Sequence, residues 1–133
     1  MYKNEIIEIF GEVGKVELKC STRQNGKSRN FKLYIGKVKV AKWCLVEMPG
    51  CCAICVYTGA EVKPAYRNKG IGTNINDLAC AIARTDNYTI MMATDITSNA
   101  PQQKIFSSGS WHPLQKFKNI KTKNEVGVYI VYL

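Results

Sequence analysis

Apolar residues recur along this chain in two rhythms, and the changes of rhythm mark its elements. Ile6, Ile7, Ile9 and Phe10 form an imperfect helical stripe that predicts a helix from Asn4 to about Gly14. The rhythm then shortens. Phe31 to Ile35, Val38 to Val46 and Cys52 to Val62 are rich in β-branched and aromatic residues and read as three strands of a meander. Gly36-Lys37 and Met48-Pro49-Gly50 supply the turns between them. The polar run from Ser21 to Asn30, with Asn25-Gly26 inside it, reads as a turn or mobile loop.

Helical spacing returns at Ile75, Leu78, Ala79, Ile82 and Ala83, which give one buried face, while Asn74, Asn76 and Asp77 keep the other face wet. Thr73 is placed to cap the first turn, and the helix should stop near Arg84, before the turn cluster Thr85-Asp86-Asn87. Tyr88 to Asp95 reads as a mostly buried strand. Phe117 to Leu133 fits a strand, a polar turn and a closing strand, with Val126, Val128 and Ile130 interleaved with aromatic residues.

Composition adjusts this picture modestly. A chain of 133 residues is long enough for one domain with a real core, and residues 1–133 read as one unit. Met1-Tyr-Lys-Asn-Glu is polar, Glu8 interrupts the first apolar run, and no segment approaches the roughly 20 apolar residues of a membrane span; the expectation is a cytoplasmic protein. The six cysteines include one Cys-x-x-Cys, Cys52 to Cys55, but no second closely spaced ligand pair, and His112 is the single histidine. Reduced, packed thiols are therefore expected, with no metal site. The formal charge of +9 suits a polyanionic ligand or an acidic protein partner. Its cations are spread along the whole chain, Lys118, Lys121 and Lys123 read as a solvated basic face, and no recognised nucleic-acid module appears.

The densest chemistry lies in Pro64-Ala65-Tyr66-Arg67-Asn68-Lys69-Gly70-Ile71-Gly72-Thr73, between the last meander strand and the amphipathic helix. Glycines let backbone approach a ligand, the first N–H groups of a helix are unpaired, and the dipole adds positive charge at that end. Arg67 and Lys69 add full charges. The result is a cradle for a diphosphate. It is not a Walker A loop, because the lysine precedes the glycines, and not a Rossmann fingerprint, because Ile75 stands where a small residue is required.

The order Arg-x-x-Gly-x-Gly-Thr, entered through Val62-x-Pro64, resembles the acetyl-CoA loop of the GNAT family of acetyltransferases. The segment from Asn99 to Trp111 is similar to that family's Asn-x-x-Ala-x-x-x-Tyr-x-x-x-Gly-Phe pattern, with Phe106 at the tyrosine, Ser110 at the glycine and Trp111 at the closing aromatic. The resemblance covers roughly residues 52 to 133 and looks most like the small members carried by phages. It implies an α/β fold with a mixed, mostly antiparallel central sheet flanked by helices and ending in a C-terminal β-hairpin. The cofactor-binding part would span about 52–111, and the pair of helices that usually covers the acceptor site would be abbreviated.

The resemblance implies an N-acetyltransferase that moves an acetyl group from acetyl-CoA to an amine, such as a protein lysine or N-terminus, by direct attack in a ternary complex. The alternative is a non-catalytic member of the fold that binds CoA or a partner protein. Backbone of Arg67, Asn68, Lys69, Gly70, Ile71, Gly72 and Thr73 would hold the pyrophosphate. The strand backbone near Ala60 and Val62 would pair with pantetheine and polarise the thioester, Asn99 would help hold pantetheine, and Lys104 would reach the phosphates. Glu61, on the opposite face from Ala60 and Val62, is the first candidate base, and Asp95 at the end of the next strand is the second. Phe106 cannot donate a proton, which leaves Tyr57, Tyr88, Tyr129 and Tyr132 as replacement acids. The partners implied are acetyl-CoA, an unidentified amine acceptor such as an acidic protein, and a second copy of the chain; neither membrane nor nucleic acid is expected.

Overall fold

The chain opens with helix α1 (Lys3–Phe10), followed by four strands, β1 (Val16–Arg23), β2 (Ser28–Ile35), β3 (Val38–Met48) and β4 (Cys51–Val62). A short 3-10 turn (Pro64–Tyr66) leads into α2 (Ile71–Thr85), then β5 (Ile90–Ile96), α3 (Ala100–Ser107) and the closing pair β6 (His112–Lys118) and β7 (Glu125–Tyr132). The computed structural model describes residues 2–11, 15–107 and 109–133. Seven strands form one sheet in the order β1-β2-β3-β4-β5-β7-β6. β4 and β5 run parallel, joined by the α2 crossover, and every other neighbouring pair is antiparallel.

The elements follow most of the sequence rhythm, but β1 is a strand that the rhythm does not mark, β6 starts at His112 rather than near Phe117, and three further points differ. The run from Ser21 to Asn30 is not a loop: β1 extends to Arg23, β2 starts at Ser28, and only residues 24–27 turn the chain, with Gln24, Asn25 and Gly26 all at positive φ. The first helix ends at Phe10 because Gly11 takes a left-handed conformation (φ 74) and donates its N–H back to the Ile7 carbonyl; residues 12–14, where the stripe was expected to end, lie outside the described residues. α2 is capped by Gly70, itself left-handed, rather than by the Thr73 side chain, which sits inside the first turn.

Strand alternation sorts the sheet into two unlike faces. Phe31, Leu33, Trp43, Leu45, Tyr57 and Met91 point to one face and are buried, together with Ile6 of α1, Ile75, Leu78 and Ile82 of α2, and Phe106 of α3. These form one cluster, so the three helices pack on this face. Burying a Leu33 or an Ile82 fully contributes about 1.5–3 kcal/mol each. Residues between them along the strands, such as Lys19, Ser21, Lys32, Lys42 and Thr58, point the other way and are exposed. That second face is open over β1 to β4.

Buried polar groups fix the helices on the sheet. Arg29 of β2, only 8% exposed, donates to Asp86, which caps the end of α2, and to the Tyr2 hydroxyl at 3.1 Å; Tyr2 in turn donates to Asp86 at 2.7 Å. Trp111 donates its indole N–H to Asn76 of α2 at 3.0 Å. The six cysteines are unbridged, with Cys55 buried and Cys52 exposed. Among the described residues no group of three His, Cys, Asp or Glu side chains is placed to hold a metal ion, and no helix is long and apolar enough to cross a membrane.

Candidate active site

The site begins where two strands part. β4 and β5 pair at only three positions, Ile54 with Ile90, Cys55 with Met91 and Val56 with Met92. Beyond them β4 stays with β3 as far as Val62 opposite Ala41, while β5 stays with β7 as far as Ile96 opposite Val126. A bulge in β4 drives the separation: the register slips between Lys42 and Cys44, and Gly59 adopts φ +64, a conformation that strains any side chain. The resulting gap, about 160 Å³, is bordered by Thr58, Gly59 and Ala60 on one strand and by Thr94 and Asp95 on the other, with Phe106 packed against it.

On the helical side the gap meets a cleft of about 470 Å³ between the end of β4, the loop before α2 and the start of α3. Ala60, Glu61 and Val62 line it from the strand, Arg67, Asn68 and Gly72 from the loop and helix start, and Asn99 from the α3 side. Asn68 (φ 62) and Gly70 (φ 79) are both left-handed, which folds the loop tightly into the helix. The first bond of α2 runs from the Asn74 N–H to the Gly70 carbonyl at 3.0 Å. The amides of Ile71, Gly72 and Thr73 come before it and have no carbonyl four residues back within the helix, so they face outward with the positive end of the dipole. Arg67 donates its Nε to the Val62 carbonyl at 3.0 Å, tying the loop to the strand end and leaving the rest of its guanidinium beside the cleft.

The structure therefore brings together nearly every residue singled out from the sequence. Gly70, Thr73 and Lys104 border a shallower extension of the same cleft, shared with Asn68 and Gly72. Two stand apart. The Lys69 ammonium lies over the Tyr66 ring, 5.5 Å from its centroid, and the Ile71 side chain is buried in the core, so that residue offers only its amide. A Cβ added at Gly72 would sit in ordinary contact with Ile105 Cδ1 at 3.5 Å, and a large side chain there would reach into the cleft that Gly72 lines.

The two carboxylates differ. Glu61 projects to the open face opposite Lys42, 3.6 Å from its ammonium, and is largely exposed. Asp95 is half-buried: Oδ1 accepts from Asn99 Nδ2 at 3.3 Å, while Oδ2 is out of solvent and has no hydrogen-bond partner among the described residues. Of the tyrosines, only Tyr57 borders the gap, and burial pushes its phenol well above the ordinary range. Tyr129 stacks behind Phe106, with ring centroids 4.4 Å apart, and donates to Gln103; Tyr88 donates to Glu47 at 3.2 Å, away from the gap; Tyr132 lies beside His112. Reading the sequence missed Thr58, Thr94 and Gln102, which border the gap. Their only signal was position: each stands one or a few residues from a residue that was chosen.

No family model and no curated protein sequence matches the chain. Solved structures do. A GNAT family acetyltransferase from Elizabethkingia anophelis, with acetyl-CoA bound, superimposes with a TM-score of 0.77 at 10% identity, covering 91% of this chain and 100% of that one. An IAA acetyltransferase from Bacillus cereus gives 0.76 at 10% identity, covering 89% and 99%, and an N-acetyltransferase from Staphylococcus aureus gives 0.72 at 13%, covering 88% and 97%. The fold is that of the GNAT acetyltransferases. Within this GNAT fold β1 and β2 are joined by a direct turn, with helix α1 placed before them. Phe106 is buried and packs against Trp111 and Tyr129. Ser108, within the segment compared with the family pattern, lies outside the described residues.

Proposed function

We propose that the chain is an N-acetyltransferase that transfers the acetyl group of acetyl-CoA directly to an aliphatic amine. The observation that carries this reading is the gap between β4 and β5, which leads from the outward amides at the start of α2 to the open face of the sheet. The pyrophosphate is assigned to the amides of Ile71, Gly72 and Thr73 with Arg67 beside them. The pantetheine arm is assigned to the cleft along Ala60 and Val62, with Asn99 on its other side. A thioester drawn into the gap would be polarised by β4 amides that β5 no longer pairs.

The chemistry balances within the site. A neutral amine attacks the thioester carbon, a C–N bond forms, and the C–S bond breaks with its electron pair leaving on sulfur. Glu61 takes the proton that the amine gives up, directly or through a water, with Asp95 as the second candidate. The thiolate is a tolerable leaving group near neutral pH, so the reaction does not require a tyrosine at position 106. A catalytically silent member of the fold that binds CoA or a partner protein is the competing reading, favoured by Phe106 and by the short chain before β1.

Calorimetric titration with acetyl-CoA tests the proposal, beside Gly72→Trp. The expected result is saturable binding that weakens at least about 100-fold in the variant, equivalent to roughly 2.7 kcal/mol. An unbound wild type would overturn the reading. Binding without turnover on any amine would leave the silent alternative.

A further inference from the structure

The open face of β1 to β4 carries an arrangement that folding alone does not favour. Lys19 of β1 stands opposite Lys32 of β2, Lys32 opposite Lys42 of β3, and Lys42 opposite Glu61 of β4. Directly opposed like charges destabilise a sheet, and here three fall in one row. Lys42 is paired at its far end with Glu61, and Lys19 lies over the Tyr34 ring at 4.6 Å. Lys32, between them, has no carboxylate within ion-pair distance among the described residues.

The row runs into a groove of about 400 Å³ whose charged borders are Arg23, Lys32 and Lys42, with no carboxylate among the residues that line it. Ser21, Asn30 and Cys44 form its polar floor, and Cys44 Sγ lies 2.7 Å from Asn30 Oδ1. Gly59 borders both this groove and the gap between β4 and β5. The groove thus abuts, at Gly59, the gap where an acceptor amine would meet the thioester, and it lies on the side the helices leave open.

We propose that this groove is the acceptor site and that its natural occupant is an acidic polypeptide segment. Its carboxylates would lie along Lys19, Lys32 and Arg23 while a lysine or N-terminal amine of the same segment enters beside Gly59. Charge complementarity selects the sign of the partner. Chemistry selects its class: the reaction needs an aliphatic amine, which a polypeptide supplies. A single-stranded nucleic acid would want exposed rings for stacking, and the two aromatics bordering the groove, Phe31 and Trp43, are each 1% exposed with their rings on the helical side.

The inference rests on the acetyltransferase reading for its site of reaction but not for its binding groove, so the two can fail separately. The probes are two fluorescent peptides of equal length with one central lysine, one flanked by Asp and Glu and the other by Asn and Gln. Anisotropy should show the acidic peptide binding at least about 10-fold tighter at 50 mM salt, with the margin shrinking toward 200 mM as screening grows. Lys19→Glu combined with Lys32→Glu should erase that preference, while Lys116→Glu combined with Lys118→Glu, the same charge change on the far edge of the sheet, should keep it. Equal binding of both peptides, or a preference that survives the first variant, overturns the inference. Calorimetry with acetyl-CoA on the same samples reports the acetyltransferase reading independently, and unchanged affinity in the variants also certifies that they are folded. Where turnover occurs, kcat/KM on the acidic peptide should follow the anisotropy.

Discussion

Two carboxylates flank the gap between β4 and β5, and their surroundings give them different capacities. Glu61 faces the open side in an exposed ion pair with Lys42 at 3.6 Å, an arrangement that constrains it little. Asp95 has one oxygen engaged by Asn99 and the other enclosed without a donor. An enclosed oxygen of that kind is uncommon in folded proteins and marks a place where a substrate N–H would be welcome. On the acetyltransferase reading proposed above, Glu61 would take the proton and Asp95 would hold the Asn99 side in place. Glu61→Gln should lower kcat by about 100-fold or more while leaving the calorimetric affinity for acetyl-CoA unchanged. Steady-state rates with any accepted amine check this, and unchanged turnover would transfer the base role to Asp95. The loop and the helix start that line the cleft were legible in the sequence because their parts are contiguous: glycines, cations and a helix start within ten residues. Thr94 and Gln102 were not legible, because their relation to Ala60 exists only through strand separation.

At the scale of elements, the ends of α2 do different work. Its start borders the open cleft, whereas its end is held by Asp86, which accepts from both Arg29 and Tyr2. That cluster joins the segment before α1, the second strand and the crossover helix. Asp86→Asn would leave the Arg29 guanidinium buried without its counter-charge, and breaking a buried pair is far more damaging than never having had one. Urea denaturation should show a loss of about 3 kcal/mol, with acetyl-CoA affinity little changed if the fold persists. A loss within ~0.5 kcal/mol would mean that Arg29 finds water instead. α2 was readable from its apolar stripe. β1 and the start of β2 were hidden for a physical reason: their outward side chains, Ser21, Arg23, Ser28 and Asn30, belong to a face that no helix covers. A strand with one solvated face and a polar end carries the composition of a loop.

The whole molecule places its ionisable packing on the covered face, and this sets its response to pH. Burial pushes the Cys55 thiol up to about 11 and the Cys80 thiol to about 12, from an ordinary 9.0, and pushes the Tyr2 phenol up to about 12 from 10.0. The Cys20 thiol moves in the same direction for the same cause. Above pH 9 the unfolded chain releases these protons while the folded chain still holds them, so folding must take up protons that the solvent no longer supplies readily. The contribution is complete below about pH 9 and is lost as pH rises through 11 and beyond. Net charge acts the other way over part of the range, since repulsion at +9 relaxes toward the isoelectric point near 9.3. The melting temperature should therefore hold or rise slightly from pH 7 to 9 and then fall steeply between 9 and 11. Circular dichroism melts in reducing buffer measure this, and Cys80→Ala should flatten the fall while lowering the starting value through lost packing. A melting temperature that stays level to pH 11 would mean that these thiols are open to water, and with them the helix-covered face on which the site is built.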